Sequence, residues 1–259
     1  KSSAASDVYK RQEIVLAPHQ FCNLTEVCIR QGDTMDAICR KVRLASILGT
    51  IQASFTYFPY LRPIWKETTE REALLGVSMT GIMDNALTNG KHDNGLPSLA
   101  MRLQMFRRIA VDTNEFYAKR LGINKAAAVT AVKPSGTVSQ LCDTASGIHA
   151  RYNDYYIRTV RGDNKDPLTK FMTDQGIPSE PCVMKPEQTT VFSFPMKSPH
   201  GSVTRHDMSA IDQLNMWLTY QRHFTCHKPS VTIDVREDEW HEVGAFVYKH
   251  FDEMSGVSF

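Results

Sequence analysis

Residues 127–140 constrain this chain more than any other stretch. Residues 127–132 are small, apolar or β-branched, as a strand buried on both faces requires. Pro134 stops that strand, because proline has no N–H for a ladder and fixes its own φ. Ser135, Gly136, Thr137, Val138 and Ser139 follow, and Gln140-Leu141 enter a predicted helix. Gly136 allows a sharp turn and a close backbone approach. The hydroxyl residues are candidate helix caps. A strand, a tight turn and a helix start bring several backbone N–H groups to one point, an arrangement that holds anions and above all phosphate. The stretch is not a Walker loop, because the Gly-x4-Gly-Lys-Ser/Thr spacing is absent. The residues alone leave two readings, a capped strand–helix turn and a phosphate cradle.

The rest of the chain alternates in the same manner. Residues 13–27 read as a hairpin: an apolar strand over 14–17, a turn at Pro18-His19-Gln20 and a return strand over 21–27. Met35, Ile38, Val42, Ala45, Leu48 and Ile51 recur at helical spacing within 33–54, with Asp33 or Thr34 as the cap. Residues 57–63 read as an ordered loop, 74–82 as a buried strand and 98–121 as a long helix. Asn89-Gly90 and Asn94-Gly95 mark turns. Strands are predicted over 154–161, 189–194 (stopped by Pro195) and 230–235, and helices over 167–175, 207–224 and 237–253. Such alternation predicts one α/β domain. Residues 1–12 are Ser/Ala-rich, lead into Glu13 without any pattern, and read as a tag or assembly artefact.

Composition excludes several classes of function. The 259 residues are 42% hydrophobic, enough for a large core. Thirty basic and 28 acidic residues leave a net charge of +2, with no general pull toward nucleic acid or an anionic membrane. No apolar run reaches the roughly 18–20 residues of a membrane span, and no signal peptide is present. The six cysteines form no Cys-x-x-Cys, which points to reduced thiols and a cytoplasmic setting. His223, Cys226 and His227 share a helix face but lack a fourth ligand, and read as a helix end before Lys228-Pro229. The predicted hairpin folds Cys22 back toward Glu13. A thiol beside a carboxylate is either a redox group or a buried apolar cysteine.

Five motifs occur in order: Glu13-Ile14-x-Leu16-x5-Cys22-Asn23-Leu24; Leu74-Leu75-Gly76-Val77-Ser78-Met79-Thr80-Gly81-Ile82-Met83-Asp84; Lys133-Pro134-Ser135-Gly136-Thr137-Val138-Ser139-Gln140-Leu141; Ala145-Ser146-Gly147-Ile148-His149; and Pro229-Ser230-Val231-Thr232. Together they resemble the catalytic chain of ribonucleotide reductase, and most of all its adenosylcobalamin-dependent class II enzymes. The resemblance runs from about Glu13 to Phe259. It implies the C-terminal part of a ten-stranded α/β barrel with a central finger loop. The family's loop tip reads Asn-Pro-Cys-Gly-Glu, and its cysteine becomes the thiyl radical that abstracts the ribose 3′ hydrogen. Glu13 matches the glutamate, but Tyr9, Lys10, Arg11 and Gln12 stand where the family has Asn, Pro, Cys and Gly. The departure coincides with the odd first 12 residues, which reads as truncation and implies a fragment inactive alone.

By the same resemblance Cys22 is one thiol of the pair that reduces the ribose, its partner lying upstream in the family. Pro134, Ser135, Gly136, Thr137, Val138 and Ser139 hold the phosphates of a ribonucleoside di- or triphosphate. The cofactor implied is adenosylcobalamin and the external reductant a dithiol protein such as thioredoxin. Nucleotide effectors bind regions absent from this sequence. A class I large chain, or a phosphate-binding module without catalysis, are the competing readings. The absence of tyrosine from the last ten residues favours class II over class I.

Overall fold

The computed structural model describes residues 13–91, 97–254 and 257–259. Residues 1–12 and the Asn94-Gly95 turn lie outside the described residues. In chain order the elements begin with β1 (Asn23–Cys28), α1 (Met35–Ala53), α2 (Pro63–Glu72), β2 (Leu75–Thr80), α3 (Leu99–Leu121) and α4 (Val138–Leu141). Next come β3 (Tyr155–Asp163), α5 (Pro167–Asp174), β4 (Ser179–Pro181) and β5 (Thr189–Lys197). The last are α6 (Ala210–His223), β6 (Val231–Thr232), α7 (Trp240–Lys249) and β7 (Val257–Ser258). They fall into two compact units, one of residues up to Arg151 together with Gly201–Phe259, the other Tyr152–His200.

The larger unit is built on parallel pairing. β1 runs parallel to β2 from Asn23↔Leu75 to Cys28↔Thr80. Val77 of β2 bridges Thr130, Val132 bridges Pro229, and β6 pairs parallel with β7. The predicted strand over 127–132 is therefore an extended segment between β2 and residues 229–232. Every residue of β2 is buried, in keeping with a parallel sheet covered on both faces. Its crossovers are helical, as parallel strands need. α1 packs on β1 and β2, α3 packs on α1, and α6 packs on α3.

Three expectations change here. Residues 13–27 are not a hairpin. His19 has φ 63°, the Gln20 side chain accepts from Ala17 N–H and donates to Thr68 O of α2, and the strand begins only where Asn23 N–H meets Leu74 O. β1 thus finds its partner 52 residues away, at Leu75, rather than in its own preceding loop. The buried face of α1 is rotated from the predicted one: Ile38, Val42 and Ala45 are buried, whereas Leu48 is 62% and Ile51 39% exposed. Ser46 and Thr50 are buried in their place, each hydroxyl donating to the carbonyl four residues back, and Asn114 of α3 donates to Thr50 Oγ1. Finally, α2 starts at the expected end of a loop, with Pro63 in its first turn, where a missing N–H costs nothing.

In the smaller unit, β5 lies between β3 and β4 in an antiparallel sheet. The strand runs through Pro195 instead of stopping there. Ser193 N–H donates to Pro178 O on the β4 side, so by period-two alternation the N of Pro195 faces that side as well. β4 pairs only with residues 190–192, and no ladder bond is lost at Pro195.

A buried ion pair gathers the loops at the end of β2. Arg151 reaches Asp84 in bidentate fashion, Nε to Oδ1 at 2.9 Å and Nη2 to Oδ2 at 2.8 Å. Ser202 Oγ and Ala145 N–H also donate to this carboxylate. Removing one partner leaves the other charge in the core. Asp84→Asn is expected to cost about 3–5 kcal/mol in urea unfolding. Leu141→Ala, at an exposed position, should stay within about 0.5 kcal/mol.

Candidate functional site

Lys133 stands where the 128–132 segment meets the Ser/Gly/Thr turn, and three parts of the chain converge on it. Its N–H donates to Ser78 Oγ of β2 at 2.9 Å. Its Nζ pairs with Glu13 Oε1. Its carbonyl oxygen packs against Gly147, where an added Cβ would come within 2.4 Å of it. Glu13 is 1% exposed and is fixed at its backbone by Lys228 N–H, which donates to its carbonyl at 3.0 Å. A carboxylate this deep requires an ionic partner. Its other oxygen, Oε2, is buried and accepts no hydrogen bond among the described residues.

Cys22 enters the same site from the start of β1. A Cβ built on Gly76 would lie 2.5 Å from Leu24 Cδ2 and 3.1 Å from Ile14 Cδ1, so glycine at 76 makes room for those side chains, with Cys22 Sγ next to them at an ordinary contact distance of 3.5 Å. Burial pushes the Cys22 thiol up to about 12, against the pull of the Lys133 ammonium. The thiol therefore keeps its proton at neutral pH. Glu26 is the second carboxylate here. Ser78 Oγ donates to it at 3.0 Å, and burial raises its carboxyl despite the nearby Ser135 and Ser78 hydroxyls and Lys133.

The turn itself differs from expectation in its working parts. Ser135, not Gly136, takes the left-handed conformation, with φ 50°. A Cβ on Gly136 would meet nothing within 4 Å, so Gly136 leaves open space above the backbone. Thr137 makes no side-chain cap for α4. The turn is held from below by Ser146, whose Oγ lies 3.1 Å from Pro134 O, 3.3 Å from Ser135 O and 3.1 Å from Ser139 Oγ. Gly136, Thr137 and Val138 are exposed while Ser139 is buried. The N–H groups of Ser135, Gly136 and Thr137 donate no hydrogen bond among the described residues. They are free to bind an anion arriving from solvent.

Lys133, Ser78, Glu26, Ser146 and Gly147 support the site, and residue-by-residue reading did not single them out. The only signal was that the motifs 74–84, 133–141 and 145–149 contain four of them, all but Glu26. His223, Cys226 and His227 do not form a metal face. His227 Nε2 donates to Leu75 O at 2.7 Å, Cys226 lies 3.3 Å from Thr130 Oγ1, and His223 contacts Gln104. No group of His, Cys, Asp or Glu side chains among the described residues could hold a metal ion.

Comparison with known proteins bears on this geometry. No family model matches the chain. An adenosylcobalamin-dependent ribonucleoside-triphosphate reductase of Lactobacillus delbrueckii subsp. bulgaricus is 27% identical over 268 residues, covering 92% of this chain and 35% of the relative. One from Euglena gracilis is 28% identical over 200 residues, covering 75% of this chain and 27% of the relative. The crystal structure of a B12-dependent (class II) ribonucleotide reductase superposes with a TM-score of 0.75 at 23% identity, over 95% of this chain and 37% of that one. In sequence the chain is similar to adenosylcobalamin-dependent ribonucleoside-triphosphate reductases, and its fold is that of the class II reductase structure. It spans about a third of the length of these reductases. The α/β class expected from the sequence is that of the reductase structure. Among the described residues, no helix is long and apolar enough to cross a membrane.

Two positions near the turn give predictions. Gly147 has φ 55° and no room for a Cβ, so Gly147→Ala should cost at least about 1–2 kcal/mol. Gly136→Ala should change stability by no more than about 0.5 kcal/mol; paired urea melts distinguish them.

The second concerns His149. Its Nδ1–H donates to Ser146 O at 2.8 Å and its Nε2 accepts from Thr232 N–H at 3.0 Å, a pattern only the neutral ring satisfies. Burial lowers its pKa, with the Ser146 carbonyl and Asp234 opposing. The unfolded chain then takes up a proton that the fold refuses, so stability falls as pH drops below the unfolded value of about 6.5. His149→Asn should flatten that acid-side slope by up to about 1.4 kcal/mol per pH unit. His227, shifted in the same direction by burial, keeps some slope in place. Thermal melts between pH 5 and 8 provide the check.

Proposed function

We propose that this chain is the section of a class II ribonucleotide reductase that holds the phosphates and ribose of its substrate, and that residues 13–259 are part of its catalytic ten-stranded barrel. The supporting observation is the convergence of Glu13, Cys22 and the 134–139 turn on Lys133. The relatives are named for ribonucleoside triphosphates, which makes the triphosphate the substrate proposed here. The free N–H groups of Ser135, Gly136 and Thr137 take the phosphates and so anchor the ribose. Glu13 Oε2, buried and without a partner among the described residues, accepts the 3′-hydroxyl proton. Cys22 keeps its proton until the 2′-hydroxyl leaves as water. It then gives up hydrogen as one half of a pair that ends as a disulfide, and an external dithiol protein such as thioredoxin restores it by exchange.

Adenosylcobalamin, named in the relatives, supplies the initiating radical in such enzymes. Its cobalt is carried in its own corrin ring and needs no protein cluster of metal ligands, and the steps assigned to Glu13, Cys22 and the 134–139 turn are those of the chain's own residues. Nucleotide effectors and a cytoplasmic location belong to the same proposal. A class I large chain is disfavoured because the curated relatives reported above are adenosylcobalamin-dependent by name. A binding module without catalysis would have no use for a buried carboxylate with an open oxygen.

The test uses the longer reductase polypeptide that carries this segment, assayed for deoxynucleotide formation and for ribonucleoside-triphosphate binding. Glu13→Gln should lower turnover by about 10²–10⁴-fold with binding retained. Cys22→Ser should abolish multiple turnover and also spare binding. Gly136→Ala should weaken binding while leaving the fold intact. Deoxynucleotide made at the parent rate by Cys22→Ser would make Cys22 a core cysteine and sink the reading.

A further inference from the structure

The sulfurs of Cys28 and Cys142 stand 2.6 Å apart although 114 residues separate them in the chain. Both are half-buried and neither is in a disulfide. Cys28 ends β1 and Cys142 follows α4, immediately after the Ser/Gly/Thr turn. Their backbones are pinned independently of the sulfurs. Lys41 Nζ donates to Cys28 O at 2.9 Å, Arg30 Nη2 donates to Cys142 O at 3.3 Å, and Cys142 N–H donates to Val138 O at 3.0 Å. The two thiols are thus held face to face by contacts that do not involve them.

This pair is distinct from the groups assigned to the candidate site, although Glu26 lies near Cys28. Cys22 and Cys28 lie at opposite ends of β1, about 20 Å apart at the usual rise per strand residue. Nothing in the chemistry assigned to Glu13 and Cys22 uses Cys28 or Cys142.

We propose that Cys28 and Cys142 are a reversible disulfide site that fastens the end of β1 to the segment carrying the 134–139 turn. The oxidant is a peroxide. One of the two sulfurs attacks a peroxide oxygen, giving a sulfenic acid and one water. The other sulfur then displaces the sulfenic oxygen as a second water and the S–S bond forms. Two thiols lose two electrons and two protons, and one hydrogen peroxide becomes two waters. Burial, with Cys142 and Glu26 adding to it, pushes the Cys28 thiol up to about 12. A small dithiol reverses the reaction by exchange. The bond stands independently of the reductase reading, since it follows from the sulfur geometry alone.

The test is a thiol map of the purified, fully reduced polypeptide. It is treated with one equivalent of hydrogen peroxide, alkylated, digested without reductant and analysed by mass spectrometry. Two of the six cysteines should escape alkylation, with the Cys28 peptide joined to the Cys142 peptide. Dithiothreitol should restore both. The thermal midpoint should rise on oxidation of the parent protein and not of Cys142→Ser. Alkylation of all six after peroxide, a link between any other two cysteines, a link between two chains, or either thiol carried to sulfinic acid without a link would each overturn the proposal. The parent map needs no variant, so poor folding of Cys142→Ser would not cloud it.

Discussion

The Asp84 carboxylate is the anchor on which the site-bearing end of the larger unit depends. It takes four hydrogen bonds, two from Arg151 and one each from Ala145 N–H and Ser202 Oγ. The donors come from outside the named strands, with Arg151 bridged only to Thr204. The same region is tied to β2 by Thr80, whose hydroxyl donates to Ala145 O and accepts from Gly147 N–H. Gly81, with φ 80°, can turn there because it has no Cβ; an added one would lie 2.0 Å from Ile29 O. Satisfied on every side, a buried polar cluster of this kind specifies one loop arrangement. Through Ser146 and Gly147 that arrangement reaches the turn that faces solvent.

Lys133 is the second organising charge, and it acts differently. It does not gather backbone; it sets which ionisable groups can coexist in a small buried volume. Glu13 takes its ammonium, while Cys22 and Glu26 are each raised by burial and drawn back by it. The outcome is one ion-paired carboxylate beside one protonated thiol, a combination suited to moving protons and hydrogen rather than to nucleophilic attack.

Much of this was legible in residue pattern, for identifiable reasons. Helices with strong caps were readable: Thr34 caps α1, and Ser209 with Asp212 forms a capping box on α6. The mostly apolar, small-residue run of β2 was readable because both its faces are covered. The false hairpin arose because periodicity carries no information on which strand a segment will pair with. α2 was missed because its buried residues are Thr68 and Thr69, which leave no apolar stripe. In the candidate site, Glu13, Cys22 and the 134–139 turn came from motif resemblance. Their supports did not, since Lys133, Ser78 and Ser146 act through backbone atoms or at long sequence separation. Gly136 was credited with a turn that Ser135 makes, because a glycine in sequence signals either unusual φ or empty space, and only coordinates separate the two.

Pro195 bears on how the smaller unit behaves in a crowded solution. Beyond the reach of β4, β5 presents an open strand edge, the kind of surface on which another chain can dock and propagate a cross-β stack. A proline facing that edge removes the donor an incoming strand would need and places a ring in its path. The residue that looked like a strand terminator thus guards the sheet against self-association, at a position where it costs the sheet no hydrogen bond of its own.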